Sequence, residues 1–469
     1  MNAAVPADAI SKLKAVLGPD GWSDEPARLQ PKLVEWRGRW TGHTPLLCLP
    51  RTTEEVSAVV AICAEHGVAV TPQGGNTGLV GGQTPFGEVL VSLEKMRRVR
   101  EVHPIDDVMV LEAGVTLYEA QQAAEATGRL FPLSIASEGT ATIGGVISSN
   151  AGGTAVLRYG NARDLVLGLE AVLPSGEVWN GLKRLRKDNT GYDLKQLLIG
   201  AEGTLGVVTA AALKLFPVPK SRATALVGLE SPAAALDLLV QAKEHSAGMV
   251  DAFELMSRRG LDAVLKHIPD TRDPLSAKYP WYVLMEIVSS YEDGALNTLA
   301  IFLGEAYESG RILDSAVAFS EAQAAALWKL REEHSAAQKP EGAAWKHDVS
   351  VPLSRVPEFL ETATLVLEQT YPGVRVVAFG HMGDGNIHYD VLRPEDGDDQ
   401  AFLALRDEGS RIVHDVVHAM GGSISAEHGL GRLKTEEALG YKSAVEVAAQ
   451  RAVRAALDPK RIMNPRVLF

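Results

Sequence analysis

Of the twelve histidines in this 469-residue chain, five fall between His381 and His428. The run Phe379-Gly380-His381-Met382-Gly383-Asp384-Gly385-Asn386-Ile387-His388-Tyr389 sets two imidazoles seven residues apart around a Gly-Asp-Gly turn. Apolar runs at 374–379 and 387–392 predict the arms of a hairpin, which can bring His381 and His388 across from each other. Two histidines and a distant carboxylate form a catalytic zinc pattern that leaves one coordination position open. Ser425-Ala426-Glu427-His428-Gly429 supplies a candidate carboxylate and a further imidazole. A single hairpin histidine is usually structural; two of them bracketing Gly-Asp-Gly-Asn, with Glu427-His428 beyond, point to a metal.

A rival pair lies in His414-Asp415-Val416-Val417-His418, where the imidazoles stand at i and i+4 on one helix face. A zinc protease helix carries Glu after its first His, and Asp415 is one methylene shorter. Val413, Val416, Val417 and Met420 predict an ordinary packed helix there instead. A third group could hold an anion. The stretch 325–337 predicts a helix with Trp328, Arg331 and Ser335 on one face, and 345–350 predicts a strand that carries Lys346. Taken singly, such cations more often form a solvated basic face.

Three glycine-rich turns follow or precede apolar runs: 72–82, 143–153 and 199–206. Consecutive glycines let backbone N–H groups turn inward and leave no Cβ in a ligand's way, so a loop such as Pro72-Gln73-Gly74-Gly75-Asn76-Thr77-Gly78 can wrap a pyrophosphate. Three such turns fit one extended nucleotide better than three unrelated connections. None is the Gly-x-Gly-x-x-Gly that opens a Rossmann helix, so a nicotinamide site is not expected.

These loops, together with Arg186-Lys187-Asp188-Asn189-Thr190-Gly191-Tyr192-Asp193-Leu194-Lys195, resemble the vanillyl-alcohol oxidase flavoprotein family, and within it the D-lactate and D-2-hydroxyglutarate dehydrogenase branch. The resemblance runs from about residue 44 to the C-terminus. It implies an FAD site formed by Pro72, Gly74, Gly75, Asn76, Thr77, Gly78, Ser137, Thr142, Gly144, Gly145, Ser149, Asn150, Gly152, Glu202, Gly206, Val207 and Asn464. Some members bond the flavin to a loop histidine; Asn76 stands at that place here, which implies non-covalent FAD. It further implies that His381, His388 and Glu427 hold Zn2+ (or Mn2+ or Co2+), that His428 is the general base, and that Arg331, Ser335 and Lys346 bind the substrate. Asp390 departs from the branch pattern, which has Asn there, and an extra negative charge would disfavour a second substrate carboxylate nearby.

The elements that must position these residues are legible in outline. Helices are expected at 54–66 and 117–127, and strands at 68–71, 89–92 and 108–111. The Pro-rich run Phe216-Pro217-Val218-Pro219-Lys220 marks a boundary. Beyond it, strands at 223–229, 250–255 and 281–287 alternate with helices, predicting a sheet covered on one side. The expected fold is α+β: an FAD-binding domain over 1–219, a substrate or cap domain over 220–421, and a C-terminal segment over 422–469. The stretch 139–157, full of Gly, Ser, Thr and Asn, reads as loops and turns rather than a membrane span. Cys48 and Cys63 sit in apolar settings and read as core residues.

Hydrophobic residues at 46% and charged residues at 22% match an ordinary globular protein. A net charge of −13 argues against nucleic acid or an anionic membrane as partner. No export signal or anchor is visible, so a cytoplasmic enzyme is expected. The expected reaction is oxidation of a D-2-hydroxy acid, with D-2-hydroxyglutarate or D-malate favoured and D-lactate or glycolate as alternatives. Electrons would pass to a soluble acceptor such as an electron-transfer flavoprotein, and a homodimer is among the assemblies this allows. A zinc metallohydrolase with purely structural glycine loops is the alternative of another class.

Overall fold

The computed structural model describes residues 5–468. They divide into two compact units. The first comprises the chain up to Gly152, Gly160–Val218 and the segment from Glu427 onward; the second comprises Gly153–Tyr159 and Pro219–Ala426. The segment after Glu427 thus folds with the first unit, and a short piece at 153–159 folds with the second.

The first unit holds two main sheets. One is four-stranded, in the order Trp22–Ser23, Leu47–Cys48, Val89–Ser92, Val70–Gln73, and its last three strands run parallel. The helix Thr53–His66 supplies the crossover between the parallel strands Leu47–Cys48 and Val70–Gln73, which flank Val89–Ser92. Thr52 caps that helix by accepting from the Glu55 N–H, and Gly67 ends it in the left-handed conformation. The apolar face of the helix packs Val56, Val59, Val60 and Cys63 against Cys48, Val70 and Val91. Both cysteines are buried free thiols, and burial pushes Cys63 up to about 12. The second sheet is antiparallel, in the order Val99–His103, Val108–Glu112, Val207–Lys214, Val166–Val172, Val178–Gly181. The stretch at 139–157 is not all loop: Ile143–Ser149 and Val156–Tyr159 are short helices.

The second unit is built on one antiparallel sheet of seven strands. In chain order these are β1 (Ser221–Leu229), β2 (Val250–Ser257), β3 (Trp281–Ser289), β4 (Asp314–Val317), β5 (Ala344–Ser350), β6 (Arg375–His381) and β7 (Asn386–Leu392). Their spatial order is β4-β1-β3-β2-β6-β7-β5. Alternation along the strands sends Ala225, Val227, Phe253, Leu255, Val283 and Met285 to one face. There they meet the helices Pro232–His245, Gly294–Glu308, Val356–Thr370 and Arg406–Ala419. The opposite face carries Leu226, Met256, Tyr282, Leu284 and Phe379 against the helices Arg258–His267 and Glu321–Glu332. The sheet is therefore covered on both sides, not one. Near-continuous burial along β2 and β3 is the signature of that double cover. The single helix expected over 325–337 is two, Glu321–Glu332 and His334–Ala337, because Glu333 leaves helical geometry at ψ 3.

Candidate active site

On the second face of the seven-stranded sheet the side chains turn from apolar to polar along each strand. Met256 gives way to Glu254 on β2, Phe379 to His381 on β6, and Leu392 to Asp390 and His388 on β7. Glu254 lies directly opposite His381, and Phe379 opposite His388. The hairpin therefore does not set the two histidines face to face. The turn Met382–Asp384, closed by Gly385 at φ 84, shifts His381 two residues diagonally past His388. Both rings remain on one face of the sheet, with centroids 5.8 Å apart and planes at 73°.

Glu254 is the residue that ties this face together, and the sequence offered no sign of it. It is 1% exposed. Its Oε1 lies 2.7 Å from His381 Nδ1, and its Oε2 accepts from Arg331 Nε at 2.7 Å. Burial opposes ionisation, but the charges of His381 and Arg331 and their hydrogen bonds outweigh it and hold the carboxyl down at about 2. Arg331 is itself buried, with its guanidinium carbon 5.1 Å from the Phe379 ring centre. With Nδ1 of His381 engaged by a carboxylate, coordination would use Nε2, the arrangement that orients metal-ligating imidazoles generally.

The other expected anion-binding residues fall out differently. Lys346 on β5 stands directly opposite Asp390 on β7, and its Nζ is 3.5 Å from the Asp390 carboxylate. Ser335 is exposed on the four-residue helix His334–Ala337, so the structure does not gather it into this group. Trp328 donates its indole N–H to Glu286 at 3.1 Å. The rival metal pair is not offered as a pair: His414 is buried edge-on to His347, and His418 is exposed. Beyond β7 the chain returns to pair Ser423 with Ser350, and the Ala426 N–H donates to the Asp348 carbonyl at 3.3 Å. Glu427 and His428 follow directly.

In the first unit the glycine loops converge on one cleft. Of the residues expected at the cofactor, Pro72, Gly74, Gly75, Asn76, Thr77, Gly78, Thr142, Gly144, Gly145, Ser149, Glu202, Gly206, Val207 and Asn464 line it. So does His428. Ser137, Asn150 and Gly152 do not; Asn150 instead ends the helix Ile143–Ser149 at φ 51 and accepts from the Arg163 N–H. Gln73, Ser148 and Gly203 line the cleft from within the three glycine turns, and Gln83 lines it from just past the first.

Close approach explains the glycines. A Cβ on Gly75 would lie 1.9 Å from the Thr140 carbonyl oxygen, and one on Gly74 would lie 2.3 Å from Thr142 Oγ1. Among the described residues, three buried oxygens of the lining have no hydrogen-bond partner: Gln73 Oε1, Asn76 Oδ1 and Thr142 Oγ1. Unpaired buried polar atoms are costly, so they belong to a cleft that takes a polar ligand. Asn76 sits in the left-handed region and anchors its own loop by donating to the Pro31 and Val34 carbonyls. Glu202 accepts from the Leu430 and Gly431 N–H groups at 2.9 and 2.8 Å, yet burial still pushes its carboxyl up to about 7.

Residues 218–468 match the family model of the C-terminal domain of FAD linked oxidases, and residues 44–181 match that of an FAD binding domain. The chain is 38% identical over 451 residues to the D-2-hydroxyglutarate dehydrogenase of Xanthomonas citri pv. viticola, covering 95% of this chain and 93% of that one. It is 36% identical over 457 residues to the mitochondrial D-2-hydroxyglutarate dehydrogenase of Arabidopsis thaliana, covering 97% and 80%. Against the D-2-hydroxyglutarate–pyruvate transhydrogenase of Saccharomyces cerevisiae the identity is 35% over 451 residues, covering 94% and 90%. Among solved structures, p-cresol methylhydroxylase superposes with a TM-score of 0.75 at 16% identity, covering 98% of this chain and 96% of that one. That likeness establishes the shared fold alone.

Two expectations change on these findings. The metallohydrolase alternative is set aside, because both halves of the chain match flavoprotein models. The cytoplasmic location is withdrawn, because the Arabidopsis, Bos taurus, Rattus norvegicus and Danio rerio relatives are mitochondrial by name. Among the described residues no helix is long and apolar enough to cross a membrane.

Proposed function

The chain belongs to the FAD-linked oxidase family, as an FAD-dependent oxidoreductase of the D-2-hydroxyacid dehydrogenase type, and from that premise we propose its substrate and the roles of its residues. The substrate is D-2-hydroxyglutarate or the shorter D-malate, and the product is the corresponding 2-oxo acid. The substrate named in its relatives supports this choice, as does the buried Arg331, joined to His381 through Glu254.

When bound, FAD supplies the hydride acceptor, and a divalent ion, zinc or else manganese or cobalt, supplies Lewis acidity at the 2-hydroxyl. The glycine loops and the unpartnered Gln73, Asn76 and Thr142 oxygens hold the FAD non-covalently. His381 and His388 are the imidazole ligands, and Glu427, next after Ala426, is the carboxylate ligand. His428 takes the hydroxyl proton. Arg331 keeps its Nε on Glu254 and offers its terminal nitrogens to the substrate carboxylate, with Lys346 as the second cation; Ser335, exposed on its own short helix, has no part in this reading. The electrons go on to a soluble acceptor, an electron-transfer flavoprotein or a small 2-oxo acid.

Stopped-flow bleaching of the flavin tests this reading. D-2-hydroxyglutarate or D-malate should give kcat/KM at least about tenfold above D-lactate, a gap of about 1.4 kcal/mol. Chelation should abolish the bleaching while FAD stays bound, and added zinc should restore it. Acid precipitation should leave all flavin in the supernatant. One observation favours a second reading: Asp390 already pairs with Lys346, which makes that cation less available to a second carboxylate. If D-lactate equals both dicarboxylates, the enzyme is selective for a monocarboxylate.

A further inference from the structure

Glu254 has two neighbours that the proposed reaction uses for different purposes. Its Oε1 meets His381 Nδ1, and its Oε2 meets Arg331 Nε, each at 2.7 Å. The three side chains come from β2, β6 and the helix Glu321–Glu332, all within the second unit. All three are buried, with Glu254 1% and Arg331 and His381 each 7% exposed. A carboxylate this deeply buried is costly unless each oxygen is satisfied by a cation or a donor. Here each oxygen takes one partner, so neither partner can move without the carboxylate moving too.

We propose that Glu254 is a positioning residue that sets the metal-binding imidazole of His381 and the substrate-binding guanidinium of Arg331 at a fixed separation. The proposal rests on the reading of His381 as ligand and Arg331 as carboxylate partner. On the His381 side, a carboxylate on Nδ1 keeps the proton there and presents Nε2 to a metal. On the Arg331 side, holding Nε keeps the planar fork in one orientation, so its remaining donors need no ordering when a carboxylate arrives. No other group could do both. Glutamine presents one acceptor and one donor, so its NH2 must face either His381 Nδ1 or Arg331 Nε. Facing the imidazole it favours the proton on Nε2; facing the guanidinium it sets donor against donor. Aspartate keeps the charge but is one methylene short of spanning both.

The test uses the FAD-loaded enzyme stripped of metal. Zinc affinity is read by competition with a chromogenic chelator, and KM and kcat are read at saturating zinc. Glu254→Gln should weaken zinc binding by about 10–100-fold, the usual worth of an outer-shell partner. Saturating zinc should then restore most of kcat but leave KM raised, because Arg331 is no longer held. Glu254→Asp retains the buried charge, should fold, and should show both defects to a smaller degree. Cobalt-loaded Glu254→Asp should also show shifted d–d absorption bands relative to the unmodified protein. His381→Ala and Arg331→Ala are the controls. If His381→Ala leaves zinc affinity intact, the ligand assignment fails. If His381→Ala loses zinc and Arg331→Ala raises KM, but folded Glu254→Gln and Glu254→Asp match the parent within about twofold in zinc affinity and KM, the proposal is overturned while the ligand and substrate assignments stand.

Discussion

The polar face of the seven-stranded sheet and the glycine cleft each contain a carboxylate whose ionisation burial opposes, and they treat it in opposite ways. Glu254 lies between an imidazole and a guanidinium and is held down at about 2. Glu202 has only two backbone N–H groups, from Leu430 and Gly431, and is pushed up to about 7. Burial acts on both in the same direction; the difference is the charge of the partners. The lesson extends to the regions around them. The sheet face satisfies its charges with side chains on neighbouring strands, as with Glu254–His381 and Lys346–Asp390. The cleft's lining includes glycine backbone and the Gln73, Asn76 and Thr142 oxygens, which have no partner among the described residues.

The largest effect should separate the two regions by chemistry. His428→Ala, in the cleft, should slow flavin reduction by about 10²–10⁴-fold while metal analysis shows the ion retained. His381→Ala, on the sheet face, should lose the ion itself. If His428→Ala also empties the metal site, the division of roles between the two regions is wrong.

The next effect probes the paired charges of the sheet. Lys346→Ala should weaken the dicarboxylate by about 1.5–3 kcal/mol, the worth of a charge-assisted hydrogen bond, read as a rise in KM. Asp390→Asn should act in the opposite sense, releasing Lys346 and increasing the preference for D-2-hydroxyglutarate over D-lactate. An unchanged preference in Asp390→Asn would mean that Lys346 faces no second carboxylate.

In the cleft the corresponding probe is steric. Gly75→Ala places a Cβ against the Thr140 carbonyl and should cost about 1–3 kcal/mol, as overpacking usually does. FAD titration of the deflavinated variant should show correspondingly weaker binding. Unaltered affinity would show that the two loops can separate without loss.

The smallest effect is on pH. Glu202 has a folded value of about 7 against 4.5 for the ordinary carboxyl. The folded state therefore binds more protons than the unfolded state between those values, and stability should fall as pH rises from about 4.5 to 7. Melting temperatures of the deflavinated protein across that window should show the fall, and Glu202→Gln should flatten it. The same slope in both proteins would mean that the N–H groups of Leu430 and Gly431 suffice to hold Glu202 ionised.

Much of this was legible in local pattern. Alternating and continuous apolar runs located the strands Val89–Ser92 and Val250–Ser257 and the helices Thr53–His66 and Leu117–Glu125 to within a few residues. The hairpin at β6 and β7 followed from two apolar runs around Gly-Asp-Gly. Local pattern failed where the answer depended on what lies across a gap in sequence. The sheet's second cover of helices was missed because burial on both faces erases the alternation that a one-sided sheet shows. The helix break at Glu333 was missed because its residues carry good helical propensity, which tertiary packing overrode.

What the sequence determined by itself was the inventory: glycine turns fit for a nucleotide, histidines fit for a metal, and cations fit for an anion, because residue type and short spacing carry that chemistry. What only the tertiary structure decided was who pairs with whom. Glu254 reaches His381 across 127 residues and Arg331 across 77, and Lys346 meets Asp390 across 44. Strand register sets two of those meetings and helix packing the third, and a one-residue shift of register would turn every one of the strand side chains to the other face.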